Sequence, residues 1–395
     1  FYSLHLTQRR VRRQPGRPAA PARNVDKIGV VGAGLMGAQL GALLLQRLQV
    51  PLVVKDVDAR ALERARSTIE AALDKRVRSG RLRQAKAGFL KSVVTYSRED
   101  PPLAGCDVVV EAVREDLDLK QRVFATVERV VEPGCVLASN TSSLPVTAMA
   151  SALAHPQRVV GFHVFNPVAV LPLVEVVRTD AVSDEALSTA FQLADALGKS
   201  AVACADSPGF VVNRLLTRLL LSCVEAANRG AGFAEVDDAV TVLGLPMGPF
   251  ELLGLIGLPV VAEVVQVLHG AYPERFRLEP NVQMLADSGL PGVYDSARGR
   301  TPYDEVARRW RVDPQARKPT PEDIRRQALE ALAREARIIL DEAVVADARD
   351  IDTCMLLGAG WPFFMGGICK HLDQVGISRR LFGAPLVGAT DQAFA

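Results

Sequence analysis

The chain is 395 residues long, 49% hydrophobic and 23% charged, with a formal net charge of +2. That length exceeds one ordinary domain and calls for two or three packed units, while the near-neutral balance excludes the broad positive field of a nucleic-acid binder and favours small-molecule chemistry. Six cysteines lie scattered without a CxxC pair, which fits a reducing, cytoplasmic setting and offers neither a disulfide framework nor a metal site.

Residues 1–25 are rich in Arg, Pro and Ala, with no acid before Asp26. They read as an interdomain linker or an N-terminal extension, the linker being favoured over an Arg-rich targeting peptide. From 26 to 206 short β-rich runs alternate with helical patterns, at 28–31, 52–54, 108–110, 136–138 and 159–162. This alternation is that of a parallel sheet wrapped by helices.

Directly after the first run comes Gly32-Ala33-Gly34-Leu35-Met36-Gly37, opening a helix through Leu40, Leu43 and Leu44. Gly32 permits a tight turn, Gly34 lets backbone approach a pyrophosphate, and Gly37 lets helix and sheet pack closely. The second run ends in Asp56, 19 residues beyond Gly37 (56 − 37). A carboxylate there suits a ribose 2′-hydroxyl and repels a 2′-phosphate, so NAD is expected over NADP, although Lys55 and Arg60 lie close by.

Further along, Asn140-Thr141-Ser142-Ser143 follows a strand at its carboxyl end, where open α/β sheets place their ligands. A hydroxyl there can bond a reacting oxygen; the alternative is that Ser142 or Ser143 caps the helix after Pro145. The run at 159–165 and another at 171–177 read as strands with Asn166-Pro167 at the turn. Paired with Val164 opposite Val174, they set His163 against Glu175, close enough for the carboxylate to hold one imidazole tautomer. Such a dyad suits alcohol oxidation, because hydride leaves carbon readily only as the hydroxyl proton is removed. Asp206-Ser207-Pro208-Gly209 then reads as a helix start with Asn213 about one turn inside, a polar residue with no obvious helical purpose.

Beyond 206 the pattern is helical. We expect a first helical domain at 207–300, a linker at 301–323 and a second helical domain at 324–395. The most apolar stretch, 252–268, carries Pro259 and Glu263, so it reads as a broken buried helix, no transmembrane segment is expected, and the protein is taken as soluble. The two helical parts align: Val236-Asp237-Asp238-Ala239-Val240 with Gly244 and Pro246 lies against Asp350-Ile351-Asp352-Thr353-Cys354 with Gly358 and Pro362, and Glu225-Ala226 matches Glu342-Ala343 at an offset of 117 (342 − 225). The expected fold class is therefore an α/β Rossmann-type NAD-binding domain followed by two repeated all-α domains.

The runs SNTSSLPVT at 139–147, GFHVFNPV at 161–168, LVEVV at 173–177 and DSPGFVVNRLL at 206–216 resemble the L-3-hydroxyacyl-CoA dehydrogenase family. The resemblance implies NAD-dependent oxidation of (3S)-3-hydroxyacyl-CoA to 3-oxoacyl-CoA in fatty-acid β-oxidation. It casts His163 as general base, Glu175 as its orienting partner, Ser142 and Asn213 as donors to the substrate oxygen, and Met36, Val113, Glu115, Lys120 and Asn166 as residues lining the NAD beside the glycine loop. The duplicated helical part is similar to the dehydrogenase portion of multifunctional fatty-acid oxidation chains, which implies a fused enoyl-CoA hydratase domain and a docked thiolase as partners. At the 117-residue offset Glu330 stands where Asn213 does in the first copy, so the second copy does not repeat that role. Lys75, Arg76, Arg78, Arg81 and Arg83 are candidates for the CoA phosphates or a solvated basic face.

Two other readings compete: a gulonate-type or free-hydroxyacid dehydrogenase of the same plan, and a non-catalytic NAD-binding structural module.

Overall fold

The computed structural model describes residues 2–388. They form two compact units, one of residues 9–206 and the other of residues 2–8 with 207–388. The last seven residues of the expected second helical domain lie outside the described residues.

The first unit is an eight-stranded sheet in the order β3-β2-β1-β4-β5-β6-β7-β8. Its strands are β1 (Ile28–Val31), β2 (Leu52–Lys55), β3 (Val94–Ser97), β4 (Val108–Glu111), β5 (Val136–Ser139), β6 (Val159–Val164), β7 (Leu173–Arg178) and β8 (Ser200–Ala205). The helices are α1 (Leu35–Leu48), α2 (Ala59–Arg78), α3 (Gln84–Ser92), α4 (Leu117–Glu128), α5 (Val146–Ala150) and α6 (Asp184–Ala196). From β3 through β6 the strands are parallel; β7 runs antiparallel to β6, and β8 parallel to β7. β1, β4 and β5 are buried at every residue, as a parallel sheet covered on both faces requires, and this explains why they are largely Val, Ile and Leu without polar alternation. The strand order reverses between β1 and β4, which opens a crevice at the carboxyl ends of the central strands.

β3 and β8 were not expected. β3 is half-exposed at the sheet edge, and β8 is built of Ser, Ala, Val and Cys, so neither carries a strong apolar signal.

The second unit contains α7 (Val212–Asn228), α8 (Phe233–Thr241), α9 (Pro249–Ile256), α10 (Leu258–Ala271), α11 (Pro280–Asp287), α12 (Asp304–Arg309), α13 (Pro321–Asp341), α14 (Ala348–Gly358), α15 (Ile368–Gln374) and α16 (Ile377–Phe382). α7 and α13 pack along one another. Ala328, Leu332 and Ile339 on α13 are wholly buried. α9 and α10 bend by 103° at Gly257, whose φ of +97° favours glycine. Among the described residues no single helix is long and apolar enough to cross a membrane.

Two buried aspartates organise this unit in the same way. Asp237 on α8 accepts from the Phe250 amide at 2.8 Å and the Tyr294 hydroxyl at 2.8 Å. Asp352 on α14 accepts from the Cys369 amide at 2.6 Å and the Tyr2 hydroxyl at 3.0 Å. Each sits against a glycine, Gly248 or Gly367, where an added Cβ would lie 2.2 or 2.4 Å from the carboxyl carbon. Burial pushes Asp237 up to about 6 and Asp352 up to about 7.

Three expectations about organisation change. Within the stretch read as a linker at 1–25, residues 2–13 form short helical turns; Leu6 is wholly buried and Tyr2 bonds Asp352. The stretch read as a linker at 301–323 contains α12 and is held down by Trp310, whose ring lies 4.7 Å from that of Phe233, and by the Asp313 amide on the Asn228 carbonyl at 2.8 Å. The parts expected as separate domains, 207–300 and 324–395, pack as one unit over their described residues.

Candidate functional site

The β6–β7 register places His163 opposite Glu175 and Val164 opposite Val174. His163 Nδ1 lies 2.6 Å from Glu175 Oε2. Glu175 is wholly buried and His163 nearly so. A carboxylate only accepts, so the proton between them belongs to Nδ1 and Nε2 is the basic nitrogen. The Phe165 ring, 4.3 Å away and tilted by 50°, backs the imidazole.

The segment after β5 supplies the second part. Asn140 Oδ1 accepts from the Val164 amide at 3.0 Å, tying this loop to the strand that carries His163. Glu115 Oε1 gathers the Thr141 hydroxyl at 2.5 Å, the Ser142 amide at 2.8 Å, the Ser142 hydroxyl at 3.3 Å and the Ser143 amide at 3.2 Å. Behind it Lys120 donates to both oxygens of Glu111, at 2.8 and 2.9 Å, and pairs with Glu115 Oε2 at 3.2 Å. Glu111 also accepts from the Ser139 hydroxyl at 2.7 Å and the Val113 amide at 2.6 Å.

Burial alone would raise Glu115, but the Lys120 charge and the hydrogen bonds hold it below its ordinary value. Glu111 is more deeply enclosed, and burial outweighs its partners to leave it raised. Lys120, expected at the cofactor surface, is 1% exposed; its ammonium is enclosed by the two carboxylates and stands behind Glu115. The capping alternative for Ser142 and Ser143 is not met, because the α5 amides of Val146 and Thr147 are held by Asp206 at 2.9 and 2.6 Å.

At the other side of the crevice lies the glycine loop. Gly32 has φ +102°, and an added Cβ would strike the Ala112 carbonyl oxygen at 2.5 Å; one at Gly37 would meet the Gly32 oxygen at 1.8 Å. Gly34 has open space where its side chain would be. These are a tight turn, a close helix contact and an uncovered backbone, the three features a dinucleotide pyrophosphate needs at a helix N-terminus, so the residues fit NAD. Asp56 Oδ2 accepts from the Ala33 amide at 2.7 Å, placing a carboxylate beside the loop. Asp58 rather than Asp56 caps α2. Lys55 pairs with Asp100 at 2.7 Å, so its charge is met within the protein. Met36 and Val113 are half-buried and Asn166 is exposed.

Asn213 belongs to the helical unit. It is the second residue of α7, because Pro208 lies in a turn ahead of the helix, and not a full turn inside as expected. Next to it Arg214, wholly buried, donates to Glu335 at 2.7 Å, Glu342 at 2.7 Å and Ser207 at 3.0 Å. Sequence reasoning did not single out Glu111 or Arg214. Glu111 directly ends a strand and could have been flagged by that position; the buried pairing of Arg214 carries no local signal.

The chain matches the family descriptions 3-hydroxyacyl-CoA dehydrogenase, NAD binding domain, over residues 27–207, and 3-hydroxyacyl-CoA dehydrogenase, C-terminal domain, over 209–301. It is 31% identical to the fatty acid oxidation complex subunit alpha of Shewanella amazonensis over 95% of this chain and 55% of that protein. The chain thus spans about half the length of the curated relatives it matches. Among solved structures, M. tuberculosis FadB2 is 35% identical with a TM-score of 0.65, covering 71% of this chain and 99% of that one. The 3-hydroxybutyryl-CoA dehydrogenase of Escherichia coli K12 is 26% identical with a TM-score of 0.76, covering 92% and 96%. Taken with the glycine cradle and the buried His–Glu pair, these matches show that the chain belongs to the 3-hydroxyacyl-CoA dehydrogenase family and carries its NAD-binding domain.

Proposed function

We propose that the chain oxidises (3S)-3-hydroxyacyl-CoA to 3-oxoacyl-CoA in fatty-acid β-oxidation. The observation that carries this reading is the 2.6 Å contact between His163 and the enclosed Glu175, in the same sheet as the strand that leads into the dinucleotide cradle. When bound, NAD supplies a nicotinamide ring that takes the hydride from carbon 3. His163 Nε2 removes the hydroxyl proton, and the Glu175 carboxylate stabilises the imidazolium so formed. Ser142 and, from the helical unit, Asn213 donate hydrogen bonds to the substrate oxygen. Gly32, Gly34 and Gly37 cradle the pyrophosphate and Asp56 the ribose, while Met36, Val113, Glu115 and Asn166 line the cofactor, with Lys120 acting through Glu115.

The domain reading we propose is an NAD-binding domain at 26–206 followed by two copies of one helical motif. The matching environments of Asp237 and Asp352, each capping the next helix, set against a glycine and bonded by a tyrosine hydroxyl, support it. On this reading the counterpart of Asp352 is Asp237 and not Asp238, which is exposed and pairs with Arg300. We further propose that the chain is the dehydrogenase portion of a cytoplasmic multifunctional protein with an enoyl-CoA hydratase domain and a thiolase partner; what supports a larger assembly is that the relatives are named subunit alpha of a fatty acid oxidation complex and are about twice as long as the part this chain matches.

Turnover of acetoacetyl-CoA with NADH, compared with free hydroxyacids and gulonate, tests the substrate. His163→Gln should lower that turnover by about 10² to 10⁴ while leaving NADH binding intact. Near-normal turnover in this variant removes His163 from the mechanism.

A further inference from the structure

The loop between β6 and β7 is pinned from two sides. Lys199 Nζ donates to the carbonyls of Val168 and Leu171, both at 2.7 Å. Gln39, on α1 two residues after Gly37, reaches the same loop: the Val168 amide donates to Gln39 Oε1 at 2.9 Å, and Gln39 Nε2 lies 3.1 Å from Asn166 Oδ1. The oxygen and nitrogen of a side-chain amide have nearly the same shape, so what decides which way each points is its partners.

Here one backbone group decides both. The Val168 N–H can only donate, so the Gln39 atom facing it is the carbonyl oxygen. Nε2 must then face Asn166, and since Nε2 only donates, the Asn166 atom it meets is Oδ1. The Asn166 amine, with its two hydrogens, is consequently turned away from Gln39, on an exposed side chain.

We propose that Gln39 is a positioning residue that fixes the polarity of Asn166, so that Asn166 meets the cofactor as a hydrogen-bond donor. The inference rests on the reading that Asn166 lines the NAD. It also joins the two halves of the cradle, because the helix that begins at the glycine loop sets the amide on the loop following the catalytic strand.

The test is NADH binding by fluorescence titration on the full chain, with thermal melts to confirm that each variant is folded. Gln39→Glu keeps an acceptor for Val168 but turns an oxygen toward Asn166, which should rotate and lose its outward donor. NADH should bind about 2- to 12-fold more weakly, the worth of one neutral hydrogen bond, with kcat at saturating NADH nearly unchanged. Gln39→Met, which removes the control without adding charge, should weaken binding in the same direction. In an Asn166→Ala background Gln39→Glu should have no further effect.

A shift in melting temperature without a change in NADH affinity would show a purely structural role and overturn the proposal. So would an undiminished effect in the Asn166→Ala background, since the added charge would then be acting alone. If Asn166→Ala itself leaves NADH affinity unchanged, the reading of Asn166 as a cofactor contact fails; if it weakens binding while Gln39→Glu does not, only the polarity proposal fails.

Discussion

Replacing Glu175 with glutamine separates the geometry of the His–Glu pair from its charge. The two side chains are nearly isosteric, and the site is enclosed between paired strands, so the strand register should survive. Glutamine can still accept from Nδ1 through its carbonyl oxygen, so the resting tautomer persists. What is lost is the negative charge 2.6 Å from a ring that becomes positive as the substrate proton arrives. Hydrogen bonds to charged groups contribute about 1.5–3 kcal/mol, and with full burial of Glu175 the upper half of that range applies. At about 1.4 kcal/mol per factor of ten, kcat/KM should fall roughly 40- to 140-fold. The decline should be smaller than for His163→Gln, which removes the proton acceptor itself. The assay is acetoacetyl-CoA reduction followed by NADH absorbance, with NADH affinity measured in parallel. A Glu175→Gln enzyme within about twofold of the parent would refute the argument, because a buried charge at this distance cannot be neutral to imidazolium formation.

Asp56→Ala removes both the proposed 2′-hydroxyl partner and the bond to the Ala33 amide, so the preference for NAD over NADP should narrow by about tenfold, as one charged hydrogen bond implies; kcat/KM with each cofactor decides it, and an unchanged ratio would discard Asp56 as the discriminator. Burial holds Asp352 up to about 7 against an ordinary 3.8, so its contribution to stability is fully present below about pH 4 and is lost as pH rises through 7. Melting temperatures between pH 5 and 8 should therefore fall less steeply in Asp352→Asn than in the parent, and equal slopes would show that Asp352 does not titrate there. A chain ending near Thr320 lacks Glu335 and Glu342 and leaves the α7 face that packs on α13 uncovered; light scattering should show it dimerising or aggregating, and a monomeric, fully active truncated chain would end the idea of an internally closed helical pair.

The central strands, the glycine loop and the register that sets His163 against Glu175 were legible because each is written locally. Buried parallel strands read as apolar runs, the loop follows its strand directly, and β6 and β7 follow one another in the chain, joined only by residues 165–172, so their pairing lies within one window of sequence. Gln39 and Asn166 lie 127 residues apart, and Arg214 and Glu335 lie 121 apart, so neither pairing leaves a mark on a window of sequence. The stretch at 301–323 looked like a linker because its Pro and Arg content carries no helical period. It is nevertheless held by one large aromatic side chain, Trp310, packed edge-on against Phe233 and Phe250. Residues 2–13 misled in the same way, since Tyr2 and Leu6 are the side chains that anchor a segment otherwise dominated by arginine.

The helical stretches 207–300 and 324–395 were expected as separate domains, and Arg214 shows why their described residues pack as one unit. A guanidinium with no exposure is tolerable only when its charge is met at close range, and its charge partners, Glu335 on α13 and Glu342 just beyond it, both come from the second stretch. Arg275 of the first stretch extends the pairing, lying over the Tyr272 ring at 3.9 Å while reaching both carboxylates. The first stretch by itself would therefore hold two arginines, one entirely buried, without their counter-charges; breaking a buried pair in this way costs about 3–5 kcal/mol, a large share of the stability of an ordinary domain. Because Arg214 directly follows Asn213 near the start of α7, the same carboxylates that keep the two stretches together also fix the helix turn from which Asn213 projects. The second stretch is on this account required by the first, since it supplies the charges against which α7 is set.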